Sequence, residues 1–476
     1  MSTVFDPVLF GSLGLKVLTA AQQTPQRLAA LQATRLARLL QSVGASSAYY
    51  RPLLRGRDPS TVRLQELPVV SKPELMQRFD DWVTDPRLKL NELQAFISDR
   101  RRIGEPYLDR YLVWESSGTS GEPGIFVQDV QTLAIYDALE ALRRPLPRPW
   151  QRMLDPLCIA ERIAFIGATT GHFASEVSAQ RLRRINRWMA NAMRSFSILS
   201  PTADLVADLN RFEPTVIVTY PTAAALLAEE FGRGTLVIKP KEVWTGGETL
   251  SPTVRRRVAQ TFGCTVSNSY GTSEFLPIGW ECSHGRMHAN TDWVLIEPVD
   301  AQQRPVPAGE MSHSTLITNL GNEVQPIIRF DIGDRIRVHD EPCGCGSPFP
   351  VIEVHGRHDE PLRLLGGDGR LATLLPLALT TVLEDDAQLF HFQLEQRDAS
   401  TLVLRLPLAG VEGEAALARG AEALRSFARR HGLAPLEVVL ECDRALTRGR
   451  SGKVQRIIAA PASRRHAEAD DALVSS

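Results

Sequence analysis

Between positions 114 and 124 the chain reads Trp-Glu-Ser-Ser-Gly-Thr-Ser-Gly-Glu-Pro-Gly, a concentration of hydroxyls and glycines directly after a strand-like stretch at 111–113. Glycines let backbone N–H groups come close to a polyphosphate, and Ser116, Ser117, Thr119 and Ser120 add donors without adding negative charge. Such a loop can wrap a triphosphate, with Gly118 and Gly121 giving the room. No Gly-Lys-Ser/Thr follows it, so the chemistry of ordinary P-loop NTPases is disfavoured. A second set of residues suits a metal. Cys282 and His288 stand close in sequence, and Cys343 and Cys345 follow on a glycine-rich turn, which together offer three thiolates and one imidazole to a tetrahedral Zn²⁺. His284 is the alternative nitrogen ligand. Four protein ligands leave no open position for water, so a structural role is expected.

The loop does not stand alone. Downstream of Ser117-Gly118-Thr119-Ser120-Gly121 come Gly246-Gly247-Glu248, Tyr270-Gly271-Thr272-Ser273-Glu274, and Arg329-Phe330-Asp331-Ile332-Gly333-Asp334-Arg335. Gly356-Arg357 and Gly449-Arg450-Ser451-Gly452-Lys453 complete the series. Six short motifs in this order, across roughly residues 110–455, resemble the adenylate-forming superfamily, and within it the phenylacetate-CoA ligase family. The resemblance implies activation of a carboxylic acid by ATP to an acyl-adenylate, followed by transfer of the acyl group to a thiol. A carboxylate attacking the α-phosphate brings two anions together, so the site must supply positive charge and alignment.

By the same resemblance, residues 116–121 with Gly247, Glu248, Tyr270 and Gly271 bind ATP or AMP, Tyr270 stacking on adenine. Glu274 is similar to the Mg²⁺ ligand, and Thr272 to the hydroxyl that meets the α-phosphate. Asp334 matches the carboxylate that accepts from both ribose hydroxyls, although a slip in register would give that part to Asp331. Arg357 resembles an arginine near ribose or phosphate. Lys453 matches the cation that a small moving domain inserts between attacking carboxylate and phosphorus. The acid pocket is expected among Phe126, Tyr136, Phe165, His172, Phe173, Tyr220 and Pro221, and a flat apolar slot suits an aryl or arylacetic acid. The expected thiol is CoA, and the alternative is the phosphopantetheine of a carrier protein. That choice stays open because residues 364–370, Leu-Leu-Gly-Gly-Asp-Gly-Arg, depart from the family's post-hinge pattern. A non-catalytic nucleotide-binding protein would have no use for Lys453, Glu274 and Asp334 together.

These residues need elements to hold them. Thr24-Pro25 reads as an N-cap with proline at the first helical position, followed by helically spaced Leu28, Leu31, Leu36, Leu39, Leu40 and Val43. Strands are expected at 163–166, 216–219 and 241–244, alternating with helices at 223–231 and 253–262, which argues for an α/β fold with mixed, largely parallel sheets. The last hundred residues differ. Strands at 390–394, 401–406 and 436–441 around a helix at 412–431 predict a separate small α+β unit, and the resemblance makes it mobile. The expected division is a large adenylation domain at 1–357, a small C-terminal lid domain at 358–463 and a disordered tail at 464–476.

Composition narrows the partners. Fifty-four basic against 55 acidic residues give a formal net charge of −1, so no overall field favours nucleic acid or an anionic membrane. The apolar run at 8–21 is too short to span a bilayer and carries Lys16. The opening Met-Ser-Thr with Asp6 lacks the charge of a secretory signal, so a cytoplasmic location is expected, with the six cysteines reduced or metal-bound. The family likeness also hints at a homodimer.

Overall fold

The computed structural model describes residues 4–116, 123–145, 161–355, 360–447 and 454–460. The expected first helix runs Pro25–Ser46, and Thr24 caps it by accepting from the Arg27 N–H; Leu28, Leu39, Leu40 and Val43 are buried. It is preceded by Pro7–Ala20, which Asp6 caps from Val8 and Leu9. No helix among the described residues is long and apolar enough to cross a membrane.

The strands that lead into Gly246-Gly247-Glu248 and carry Tyr270-Gly271-Thr272 belong to one seven-stranded sheet. Its spatial order is Met193–Ser197, Ile163–Gly167, Val216–Thr219, Glu242–Thr245, Thr265–Thr272, Phe275–Glu281 and Met287–Ala289. The first five are parallel, and each of the last two pairs antiparallel with the strand before it. Parallel neighbours need crossovers, and the helices Pro221–Gly232 and Pro252–Phe262 supply two of them, each starting with proline at its first position. Ser251 caps the second helix and Gly263 ends it in the left-handed region at φ 62°, which fixes where the chain turns back into the sheet. This mixed α/β architecture agrees with the expectation from periodicity.

A four-stranded sheet forms the C-terminal unit, in the order Glu437–Glu441, Thr401–Arg405, Gln393–Gln396 and Ile457–Ile458, with the helices Pro376–Asp385 and Gly410–Arg430. The expected boundary at 357/358 falls outside the described residues. One apolar cluster runs from Ile166, Ile217 and Val243 of the large sheet through to Leu364, Leu394, Leu404 and Phe427 of this unit, so the two units bury surface against each other. A second cluster, around Trp82, Trp114, Phe126, Phe275 and Phe330, fixes the strand that leads into the Ser/Thr/Gly loop.

Candidate functional site

The carboxyl ends of the parallel strands open onto a cleft of about 1750 Å³, closed on the far side by Thr380, Glu384, His391, Val454 and Arg456 of the C-terminal unit. Ligands of open α/β sheets bind at this edge because loops and helix N-termini converge there. Ser116, Phe165, Tyr220, Gly247, Glu248, Tyr270, Gly271, Thr272, Glu274, Asp331 and Asp334 all line it. Gly247 has φ +78°, and a Cβ there would come within 3.0 Å of the Tyr220 ring. Glu248 accepts from the N–H and the hydroxyl of Thr222, both at 3.0 Å, and so holds the start of the helix Pro221–Gly232 beside the Gly-Gly turn.

Tyr270 to Glu274 make the reverse turn between Thr265–Thr272 and Phe275–Glu281, with a register shift between Tyr270 and Thr272. The turn is tied to the strand Leu112–Glu115 by Trp114, whose indole N–H donates to the Ser273 carbonyl at 2.8 Å. Tyr270 donates its hydroxyl to Asp334 Oδ2 at 2.8 Å; burial, then the Asp334 charge, pushes the phenol well above its ordinary pKa. Glu274 is 9% exposed, and burial pushes its carboxyl up, against the pull of its own backbone N–H, Thr272 and Lys72. The Thr272 hydroxyl lies close enough to Glu274 to favour its charged form, yet it meets no partner in good hydrogen-bonding geometry among the described residues. A buried hydroxyl without a partner is costly, which suits a position that a ligand oxygen completes.

Asp331 and Asp334 separate in role. Asp331 accepts from the Gly333 N–H at 2.8 Å and from the Ser314 hydroxyl, so its carboxylate shapes the turn through Gly333, at φ +66°. Asp334 stands against Tyr270 across the cleft.

Sequence reasoning missed Lys72. It opens the helix Lys72–Gln77, is 8% exposed, lines the cleft and acts electrostatically on Glu274. Its stem runs beneath Gly124, where a Cβ would sit 2.9 Å from Lys72 Cδ. The sequence held one signal: only six of the 54 basic residues are lysine, so a lysine where this chain otherwise uses arginine marks a position needing a compact charge.

Three expected pocket residues lie elsewhere. Tyr136 is buried in the core, where its hydroxyl accepts from Asn319 Nδ2 at 3.1 Å and its ring meets Phe275 edge-on. His172 is fully buried against Phe96, and only its backbone reaches toward the cleft, through Glu115. Apolar packing claims both side chains, and Phe126 with them. Phe165, Phe173, Tyr220 and Pro221 do face the cleft. Ser117, Gly118, Thr119, Ser120, Gly121, Arg357 and Lys453 lie outside the described residues.

Where the C-terminal unit meets the root of the Ser/Thr/Gly loop, carboxylates gather. Glu115 faces Glu384 and Asp385; Asp385 accepts from the Thr170 hydroxyl at 2.9 Å and faces Arg100 at 3.5 Å, and Glu384 pairs with Arg456 at 2.8 Å. Burial, then Asp385, pushes Glu115 up to about 7. A carboxyl whose pKa is raised on folding stabilises the fold fully below its unfolded value, and that contribution is lost as pH rises through the folded value. The parent should therefore lose roughly 1 kcal/mol more stability than Glu115→Gln between pH 5 and 8, allowing for partial solvent access. Parallel urea titrations at the two pH values check this, and equal losses would refute it.

Cys282, His288, Cys343 and Cys345 bring their ligand atoms within 4.8 Å of one another. Cys282 follows the strand Phe275–Glu281 and His288 lies on Met287–Ala289, so the hairpin brings one sulfur and one nitrogen together. The Cys282 and Cys343 sulfurs are 3.8 Å apart, and Cys345 Sγ lies 3.4 Å from His288 Nε2. His288 Nδ1 donates to the Phe349 carbonyl at 2.8 Å, which leaves Nε2 as the lone-pair nitrogen aimed at the sulfurs. His284 stands outside this set, exposed beside Gly344. Three sulfurs and one imidazole in a buried knot suit Zn²⁺.

The family of AMP-binding enzymes matches residues 190–311. A phenylacetate-coenzyme A ligase from Thermus thermophilus is 27% identical over 396 residues, which are 79% of this chain and 80% of that protein. The protein CapK of Staphylococcus aureus is 23% identical over 138 residues, 29% of each. A crystal structure of 2-hydroxyisobutyryl-CoA ligase with 2-HIB-AMP and CoA, in the thioesterification state, superposes with a TM-score of 0.57 at 20% identity, over 96% of this chain and 94% of that one. The resemblance to the adenylate-forming superfamily, and the α/β fold it implies, are borne out.

Proposed function

We propose that this chain uses ATP to convert a carboxylic acid to an acyl-adenylate and transfers the acyl group to CoA, releasing AMP and pyrophosphate. The observation that carries the reading is the turn from Tyr270 to Glu274, set opposite Asp334 and next to Lys72 at the carboxyl edge of the parallel sheet. In this reading Asp334 binds the ribose hydroxyls, since the Asp331 carboxylate already serves its own turn. Tyr270 offers its ring to adenine and buttresses Asp334. The Thr272 hydroxyl meets the α-phosphate, and the Ser/Thr/Gly loop, with Ser116 at its root, holds the outer phosphates together with Lys72, whose stem runs beneath Gly124. Glu274 would hold a Mg²⁺ ion, which supplies charge neutralisation of the phosphates when bound. Arg357 and Lys453 join the site from outside the described residues.

The acid is read as aromatic, because Phe165, Phe173 and Tyr220 give the cleft flat apolar walls and a relative bears the name of a phenylacetate enzyme. Acid-dependent pyrophosphate exchange, screened over aromatic and short aliphatic acids, tests the first half-reaction. Exchange with no acid in the panel would overturn the reading, and exchange confined to aliphatic acids would overturn its aromatic part. AMP release stimulated by a holo carrier protein, with no response to free CoA, would favour the phosphopantetheine acceptor.

The cysteine–histidine knot is read as a structural zinc site. Purified protein should carry about one equivalent of zinc, and Cys345→Ser should lose it and destabilise the fold by several kcal/mol, since two thiols and an imidazole would be left crowded without a cation. Metal analysis and a melting curve check both. Well under one equivalent in the parent would remove the site from the account.

A further inference from the structure

Two cationic side chains of the cleft have no part in the scheme above. Arg286 sits half-buried at the tip of the hairpin between Phe275–Glu281 and Met287–Ala289, and Arg256 lies exposed in the helix Pro252–Phe262; both line the cleft. Neither has an ion pair or side-chain hydrogen bond among the described residues. The carboxylates near them are already matched. Glu281 takes Arg255 and accepts from the Asn268 N–H at 3.0 Å, while Glu353 takes Arg337 at 3.0 Å and His355 at 2.7 Å. The Arg255–Glu281 pair also joins the helix that carries Arg256 to the strand that leads to Arg286, so the two elements move together.

The tip itself is held by the knot. Cys282 and His288 flank residues 283–287, and their cluster partners Cys343 and Cys345 come from the loop that leads to Val351, which bridges back to His288. Gly285, Arg286 and Met287 on one side and His339, Val351 and Glu353 on the other line the same wall of the cleft. A metal that joins the four ligands would therefore set the position of Arg286.

We infer that Arg286 and Arg256 form the docking point for the phosphate groups of the acyl-accepting thiol, and that the cysteine–histidine cluster holds Arg286 in place. This rests on the acid–thiol ligase reading. Unmatched guanidinium groups in a cleft that must accept a polyanionic acceptor are suited to phosphate, which they bind by paired charge-assisted hydrogen bonds. The nucleotide motifs converge instead on Thr272, Glu274 and Asp334.

The test is calorimetric titration of CoA, 3′-dephospho-CoA and pantetheine into AMP-saturated protein. Arg286→Ala and Arg256→Ala should each weaken CoA binding about tenfold, the factor that 1.4 kcal/mol represents, and leave pantetheine binding within about twofold. A smaller loss for 3′-dephospho-CoA than for CoA assigns the 3′-phosphate; equal losses assign the diphosphate. Stripping the metal from the parent should reproduce the Arg286→Ala loss and add nothing in that variant. Unchanged CoA affinity in both variants, equal weakening of pantetheine, or no CoA binding by the parent would overturn the inference. Acid-dependent pyrophosphate exchange by the same preparations keeps the two readings apart: its absence from the parent refutes the ligase function itself, whereas its presence with unchanged CoA affinity refutes only the docking point.

Discussion

Lys453→Ala is expected to slow acid-dependent pyrophosphate exchange by about a thousandfold, with acyl transfer from added acyl-adenylate to CoA kept within about threefold. The first half-reaction drives a carboxylate against a phosphate, and a preorganised cation at the point of closest approach is worth about 3–4 kcal/mol in such settings. The second half-reaction expels AMP from a neutral carbonyl and has no such meeting of anions. Two described residues follow the lysine closely in sequence. Val454 lines the cleft, and Arg456, two residues on, is buried and paired with Glu384 at 2.8 Å. That pair anchors the segment that follows Lys453. Lys453→Arg should recover little, since a planar fork does not replace a compact ammonium between two reacting groups. Single-turnover measurements of the two half-reactions decide the matter, and equal loss in both would remove Lys453 from this role.

Gly271→Ala is expected to cost about a hundredfold or more in exchange and about 3 kcal/mol in stability. A Cβ at this position would stand 1.6 Å from the Leu276 carbonyl oxygen and 2.7 Å from its carbon, and both are backbone atoms of the paired strand. No side-chain rotation relieves such a contact. The strand Thr265–Thr272 would have to move away from Phe275–Glu281 at the point where their register already shifts. Tyr270 and Thr272 flank the glycine, and Glu274 completes the turn, so the displacement reaches the residues assigned to ribose, phosphate and metal. Displacements near 1 Å in a reacting constellation cost about a hundredfold by themselves. Urea unfolding and pyrophosphate exchange measure the two effects. Near-parental values in both would mean that the turn tolerates a second conformation and does not hold the nucleotide.

The two substitutions probe opposite kinds of information. Lys453 was legible from its glycine-flanked motif and its place in an ordered series, whereas the severity at Gly271 depends on Leu276, which no motif marks. The same contrast runs through the site. Helical spacing and caps located Pro25–Ser46, Pro221–Gly232 and Pro252–Phe262 to within a few residues, because periodic burial and local capping are written into consecutive side chains. Tyr136 and His172 were assigned to the pocket because aromatic and imidazole side chains suit both a core and a ligand. Long-range packing chose the core for both. Lys72 escaped notice for the converse reason, since an isolated lysine is ordinarily solvated and only the fold carries its ammonium to Glu274 across 200 residues of chain.

By itself the amino-acid sequence determined the class of architecture, the order of the motifs and the inventory of groups available for chemistry: hydroxyls and glycines for phosphate, carboxylates for metal and ribose, sulfurs for zinc. These follow from local propensity and side-chain chemistry, which do not depend on distant neighbours. Tertiary structure decided which of two aspartates faces Tyr270, which histidine joins the three cysteines and which aromatic rings reach the cleft. Each of those outcomes turns on separations of a few ångströms between residues far apart in the chain. Only the packing of the sheet against its crossovers sets such separations.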